Sequence, residues 1–300
     1  MRGSSRSAEH VALFRALEHN RRHDRLFDDR LAVRMLPPLH RAVATASRVP
    51  AVHRWIVRYL DHHFAGGPRA SAVVRTRFID DQIRAAGAPQ LVLLGAGFDN
   101  RAHRLAGPVA FEVDHPATQA TKRRRVPAGG AVRYVPVDLT RDALAPALLA
   151  AGFDASAPAV VVWEGVTNYL TAESVDATLR ALAGLLAPGS TVVFTYVDRA
   201  ALESIESIES IESTESTEGT ESTAGAGTFT GLAQWHDAVR RGGEPWTFGF
   251  DPAELAGYLE QRALHLTEDL STRDAAARYL EPLGRDEPTA EFYRIAVCRA

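Results

Sequence analysis

Three hundred residues, 46% of them hydrophobic, are enough for one large core, and a net charge of −3 sets up no strong overall field. A single cysteine, Cys298, excludes an internal disulfide and points to a reducing, cytoplasmic compartment. There is no run of 18 apolar residues, so no membrane span is expected, and the basic opening MRGSSRS leads into no apolar core of a secretory signal. The first 60 residues hold twelve arginines against five acids, which reads as solvated helix faces, since no aromatics interleave to stack bases. Neither a nucleic-acid partner nor a membrane is therefore expected.

Apolar spacing predicts helices within 8–36 and 50–64, the first broken by Pro37-Pro38 and the second by Gly66-Gly67-Pro68, with a further helix from Ser71 to Ala86. From Leu91 the pattern changes to short apolar runs at 91–95, 109–113, 132–137, 159–164 and 190–197, separated by helical stretches. That alternation predicts a parallel sheet covered on both faces. Thr171 opens the helix before the fifth strand and Pro188-Gly189 closes it. The stretch ESIESIESIESTESTEGTESTAGAGT follows. Its period of three fits neither a helix face nor a strand face, and its acidic, aromatic-free composition predicts a disordered insertion over 203–227, with a partly helical flap as the alternative. Order resumes near Phe229 with helices over GLAQWHDAVRR and, capped by Asp251 with Pro252 behind it, FDPAELAGYLEQRAL. Strands at 264–268 and 292–298 should add an antiparallel, hairpin-like edge.

The stretch LVLLGAGFDNRAHRL, residues 91–105, runs from a buried strand into a turn in which Gly95 and Gly97 let a ligand approach the backbone. A dinucleotide fingerprint needs a third glycine, and Asn100 stands there instead. Downstream, FEVDHP sets Glu112 and Asp114 at the end of the second strand, where an acid accepts both ribose hydroxyls; alternation is expected to turn only one of them to the sugar. VPVDLT sets Asp138 at the end of the third strand, within reach of an adenine amino group, and VVWEGVTNYL ends the fourth strand in Glu164. A nucleoside site with no pyrophosphate cradle fits S-adenosyl-L-methionine better than a nicotinamide dinucleotide.

Four of these stretches, RTRFIDD at 75–81, LLGAGFDNRAHRL at 93–105, FEVDHP at 111–116 and WEGVTNYL at 163–170, resemble the leucine carboxyl methyltransferase-like family. The likeness is to its bacterial branch, often described as polyketide-type O-methyltransferases. The opening ALFRALEHNRRHDRLFDDRLA and the late PWTFGFDPAELAGYLEQRAL are similar to that family too. The resemblance implies a Rossmann-like α/β fold with a seven-stranded, mostly parallel sheet and an antiparallel late strand. It implies a helical cap over 1–86 and a cofactor-binding domain over 87–300. It also implies roles: Arg77 pairing with the methionyl carboxylate, Gly95 and Gly97 lining the cofactor, Asp114 holding the ribose, Asp138 with the backbone of Leu139 framing the adenine, and Glu164 facing the methionyl ammonium. Other members use an N-terminal lysine. Lys122 is the only lysine here, and Arg15 is the nearest substitute.

Tyr169 falls just past the fourth strand, near the expected methyl position, either as a catalytic or as a packing residue. Arg101, Asn168 and Tyr196 are the acceptor-side candidates, Arg101 above all if the acceptor is an acid. No general base stands out at a strand end, which favours a carboxylate or acidic hydroxyl of a small molecule, since a carboxylate needs none. His19 with His23 and the pair His62-His63 lack the carboxylates or cysteines that would complete a metal site, so none is expected. A cofactor-binding but non-catalytic protein and a nicotinamide-dependent oxidoreductase are the rival readings, and a nucleic-acid methyltransferase is a weaker third.

Overall fold

The computed structural model describes residues 6–64, 66–105, 107–127, 131–215 and 229–300, with the side chains of 208–215 left aside. Four helices come first: α1 (Arg6–Asn20), α2 (Pro38–Ala46), α3 (Pro50–His63) and α4 (Pro68–Ala86). Strands and helices then alternate through β1 (Gln90–Leu94), α5 (Arg101–Arg104), β2 (Val109–Asp114), α6 (Pro116–Arg123), β3 (Val132–Pro136), α7 (Leu144–Ala150), β4 (Ala159–Trp163), α8 (Ala172–Leu185) and β5 (Thr191–Val197). The chain closes with α9 (Arg199–Glu215), α10 (Leu232–Arg241), α11 (Pro252–Glu260), β6 (His265–Ser271), α12 (Thr272–Tyr279) and β7 (Tyr293–Arg299).

The seven strands lie in the order β3-β2-β1-β4-β5-β7-β6. The first five pair in parallel, and β7 is antiparallel to both β5 and β6. The late pair is antiparallel as expected but is no hairpin: α12 joins the two strands, and β7 enters the gap between β5 and β6. The strand order reverses between β1 and β4, and the crevice beyond their carboxyl ends is where sheets of this kind take ligands.

Alternation along each central strand explains the two apolar layers. Leu91 and Leu93 of β1 pack with Val160 and Val162 of β4 against Val73, Val74, Phe78 and Ile79 of α4. Val92, Leu94, Val161 and Trp163 face the other way, onto Leu148 of α7 and Val175, Leu179 and Leu182 of α8. Each such side chain, fully buried, stabilises the fold by about 1.5–3 kcal/mol. The first 86 residues thus divide. Helix α4 is a layer of the sheet, whereas α1 to α3 gather around Leu13, Leu17, Met35, Ile56 and Phe98 in a cluster of their own.

Two local readings change. The first helical run stops at Asn20, whose side chain bonds the carbonyl of Ala44 and the hydroxyl of Ser47 at 2.7 and 2.8 Å, tying the end of α1 to the end of α2. The Glu-Ser-Ile stretch is helical as far as Glu215, because Ala201 and Ile205, one turn apart, are buried against Leu232, Trp246 and Phe292. Residues 216–227 of that insertion lie outside the described residues. Among the described residues, no helix is long and apolar enough to cross a membrane.

Candidate active site

The carboxyl ends of β1, β2, β3 and β4 open into a cavity of about 860 Å³, roofed by α1 and by the segment after α10. Gly95 and Gly97 form its floor, both with positive φ, at 61° and 43°. Gly95 has a second constraint, since a Cβ there would stand 2.5 Å from Cγ2 of Val166. The Gly97 N–H donates to Oδ2 of Asp114, and the His115 N–H donates to Oδ1 at 2.6 Å, which fixes the carboxylate at the end of β2 against the glycine turn. Burial raises the pKa of Asp114, the two backbone donors offsetting only part of that rise.

Asp138, just beyond the end of β3, is half-buried. Its Oδ1 accepts from the hydroxyl and N–H of Thr140 at 2.6 and 3.0 Å, and these bonds hold its pKa below the usual value. Leu139 and Thr140 continue the same wall. Beyond β4, Glu164 meets Arg75 at 2.6 Å and Arg101 at 2.5 Å. Burial alone would raise its pKa, but Arg101 and Arg75 outweigh it and keep the carboxylate ionised.

A match to the leucine carboxyl methyltransferase family covers residues 8–183, more than half of the chain. The chain belongs to that family. A curated relative from Mycolicibacterium vanbaalenii PYR-1, named as an S-adenosyl-L-methionine-dependent methyltransferase, is 44% identical over 134 residues, 41% of this chain and 44% of the relative. One from Parafrankia sp. EAN1pec, with the same description, is 37% identical over 204 residues, 63% of this chain and 61% of the relative. The matches thus span about half the length of these relatives. Among solved structures, a Thermobifida fusca YX protein described as a methyltransferase superposes with a TM-score of 0.56 at 18% identity, covering 96% of this chain and 93% of that one. A DUF574 protein from Streptomyces avermitilis superposes with a TM-score of 0.52 at 14% identity, covering 95% and 96%. At these identities both are likenesses of fold.

Within this family fold, several anticipated residues lie away from the cavity. Arg77 binds Asp81 one turn along α4 at 2.9 Å, donates to the carbonyl of Leu26 at 2.9 Å, and sits over the ring of Tyr279. The arginine of RTRF that reaches the cavity is Arg75, because two positions on a helix turn a side chain through about 200°. Arg101 does not line the cavity either. It is fully buried beneath it, 2.9 Å from Asp80, 2.5 Å from Asp99 and 2.5 Å from Glu164. Burial opposes its charge, but those three carboxylates outweigh it and push its pKa up. Its job is to hold Glu164 and the loop in place.

Asn168 is buried beside Tyr293, whose hydroxyl donates to it at 3.5 Å, and its backbone carbonyl accepts from Thr247 at 2.8 Å. Tyr196 is buried in the sheet, donating to Asp269 at 2.9 Å and accepting from Arg294 at 3.0 Å. Neither lines the cavity. Tyr169 does, and its hydroxyl points to Ser7 of α1 at 3.4 Å. Burial and the neighbouring Tyr293 push its pKa up to about 12, so near neutral pH it is a proton donor and no base.

Arg15 lines the cavity but is engaged, with Asp29 at 3.2 Å and the carbonyl of Phe98. Lys122 is buried against Glu112 at 2.7 Å. Glu112 and Asp114 are two residues apart and therefore share a face of β2, contrary to the expectation from alternation. Depth along the strand separates them, with Glu112 taken by Lys122 and Asp114 left at the open end. Asn100, in place of a third glycine, bonds Asp29 at 3.0 Å in the interior.

A cap from the N-terminal helices and the region after the fifth strand was expected, but its cavity-lining residues were not singled out. His10, His40, Phe64, Trp235, Trp246 and Tyr293 all line the cavity, from five separate parts of the chain. Only the late resemblance around PWTFGF touched any of them.

Proposed function

We propose that the chain is an S-adenosyl-L-methionine-dependent O-methyltransferase, acting on a carboxylate or acidic hydroxyl of a small molecule. The observation that carries this reading is the Asp114 carboxylate, locked by the Gly97 N–H at the rim of the cavity, in line with Asp138 and Glu164 at the next two strand ends. These residues fit a nucleoside that ends in an amino acid. Asp114 would accept the ribose hydroxyls, Leu139 would pack on the adenine beside Asp138, and Glu164 and Arg75 would meet the ammonium and carboxylate of the methionyl end. Asn100 packs inward where a dinucleotide fold keeps its third glycine, which counts against a nicotinamide cofactor. The relatives' shared description supports the same cofactor.

When bound, the cofactor supplies a methyl group on positively charged sulfur, so alignment of the attacking oxygen can provide much of the acceleration, up to about 7–11 kcal/mol. The chain's own contribution is to hold that alignment. Arg101 fixes Glu164 from below, the Gly97 N–H fixes Asp114, and Tyr169, protonated, presents a donor at the roof side of the cavity.

Calorimetry with S-adenosylmethionine, S-adenosylhomocysteine, NAD and NADP tests the reading on the wild type and on Asp114→Ala. The first two should bind, and the substitution should weaken both by about tenfold or more, the loss of a charge-assisted bond. Binding of a nicotinamide cofactor alone would overturn the reading.

A further inference from the structure

The acceptor side of the cavity carries two groups with no part in cofactor binding. His10 on α1 and His40 on α2 both line it, their ring centroids 5.6 Å apart and their planes tilted by 44°. His10 stands on the open wall of the cavity, and Nδ1 of His40 is buried with no hydrogen-bond partner among the described residues. The charged and titratable groups that face His10 are Arg6 and Glu9 on its own helix, His40 from α2 and Glu244 from the segment after α10. Burial is the strongest influence, and with His40 it outweighs Glu9 and Glu244, so the imidazole titrates below 6.5 and is neutral at pH 7.

The rest of that wall is aromatic. Trp235 and Tyr293 stack at 5.5 Å with their planes 9° apart, and Trp246, Phe64 and Tyr169 line the same space. Flat apolar faces of this kind suit a planar ring. Several cations at the cavity are already engaged: Arg15 with Asp29, Arg75 with Glu164, Arg241 with Asp237. Both sequence arguments for a carboxylate acceptor lose their footing, because Arg101 is buried away from the cavity and an imidazole, His10, lines it.

We propose that His10, paired with His40, is the proton acceptor for a phenolic hydroxyl on a planar aromatic acceptor; this rests on the methyltransferase reading of the site. As the phenol O–H bond breaks, a ring nitrogen of His10 takes the proton. The oxygen's electron pair forms the new bond to the methyl carbon, and the electrons of the old carbon–sulfur bond stay on sulfur as a neutral thioether. His10 then releases its proton to solvent, which closes the cycle.

A matched pair of probes tests this without a known substrate. The probes are 4-nitrophenol, whose ionised form is coloured, and 4-nitrobenzoate, which has a carboxylate in the same place. Each is titrated into the full chain with S-adenosylhomocysteine present, at about pH 6.5, where free 4-nitrophenol is mainly protonated and His10, held below its ordinary value by burial, is mainly neutral. The expected result is the coloured band on binding, reduced about tenfold or more in the double variant His10→Gln/His40→Gln, with 4-nitrobenzoate bound no more tightly than 4-nitrophenol. Unchanged calorimetric affinity of the double variant for S-adenosylhomocysteine shows that its fold is intact. A band that fails to form, a band that survives the double substitution, or a preference for 4-nitrobenzoate would each overturn the proposal. If S-adenosylhomocysteine does not bind the wild type but the band still forms and depends on both histidines, the proton-accepting pair is supported and the cofactor reading falls.

Discussion

Along the sheet edge, the groups that face the cavity sit at a strand end or a few residues beyond it, whereas over the roof they come from α1, α2 and residues 235–247, nearly the whole chain apart. The edge is anchored from below by buried charges: Arg101 links Asp80, Asp99 and Glu164, and Arg104 meets the same Asp80 at 2.5 Å. The first turn of α1 is held by lighter contacts, with the Ser7 N–H on Glu244 at 3.1 Å and the Tyr169 hydroxyl on Ser7 at 3.4 Å, whereas the far end of α1 is fixed by the buried Glu18–Arg285 pair at 2.8 Å. Electrostatics of this strength in the interior fix one geometry, while a few half-exposed hydrogen bonds permit local opening at low cost. The contrast sets a rigid edge against a roof whose first turn can open; on the proposed function the edge would hold the cofactor and the roof would admit the acceptor.

The sharpest break of that comparison is Arg101→Met, which takes a buried cation from Asp80, Asp99 and Glu164 at once. It should cost about 3–5 kcal/mol or more in chemical denaturation, while Arg77→Ala, which loses a half-exposed pair, should cost about 1 kcal/mol or less. If the two variants unfold alike, the edge is not anchored as described.

A second anchor, between α4 and the late chain, titrates in acid. Glu287 accepts from Arg69 at 2.7 Å and from Arg285 at 2.8 Å. Although burial opposes its charge, these arginines hold its pKa at about 2 instead of 4.5. A depressed carboxyl stabilises the fold above its unfolded value and loses that contribution as pH falls through the folded one. About 3 kcal/mol should therefore disappear between pH 4.5 and about 2, and Glu287→Gln should remove that slope from a pH series of denaturation curves.

Arg75→Ala should weaken S-adenosylhomocysteine binding by about 10- to 100-fold, the worth of one charged hydrogen bond, with Arg77→Ala leaving it unchanged. The reverse result would return the methionyl carboxylate to Arg77. At the roof, Tyr169→Phe should change cofactor affinity about threefold at most, since its 3.4 Å bond to Ser7 is long and the ring stays in place.

Most of the frame was legible because strands carry their message locally. Each of the seven apolar runs became a strand, Thr171 caps α8 through the Ser174 N–H, and Asp251 caps α11 ahead of Pro252. The edge residues Gly95, Gly97, Asp114, Asp138, Leu139 and Glu164 were legible for the same reason, since a residue just beyond a parallel strand can face only the carboxyl edge. Arg75 and Arg77 show where that clarity ends: the motif gives two arginines, and only helix phase against the sheet tells them apart. His10 and His40 left no sequence signal at all, because they meet through the packing of α1 on α2 around residues such as Leu13 and Ala44. Helix α9 was obscured by its glutamates, and the buried pair Ala201 and Ile205 decides it by tertiary contact.

The most direct measurement is the crystal structure of the chain with S-adenosylhomocysteine. The ribose hydroxyls should lie on Asp114, the adenine along Leu139 beside Asp138, and the amino-acid end between Arg75 and Glu164, with the sulfur facing the space under His10 and Tyr169. A ligand placed away from Asp114, or held by Arg77 with Arg75 still closed on Glu164, would contradict this placement.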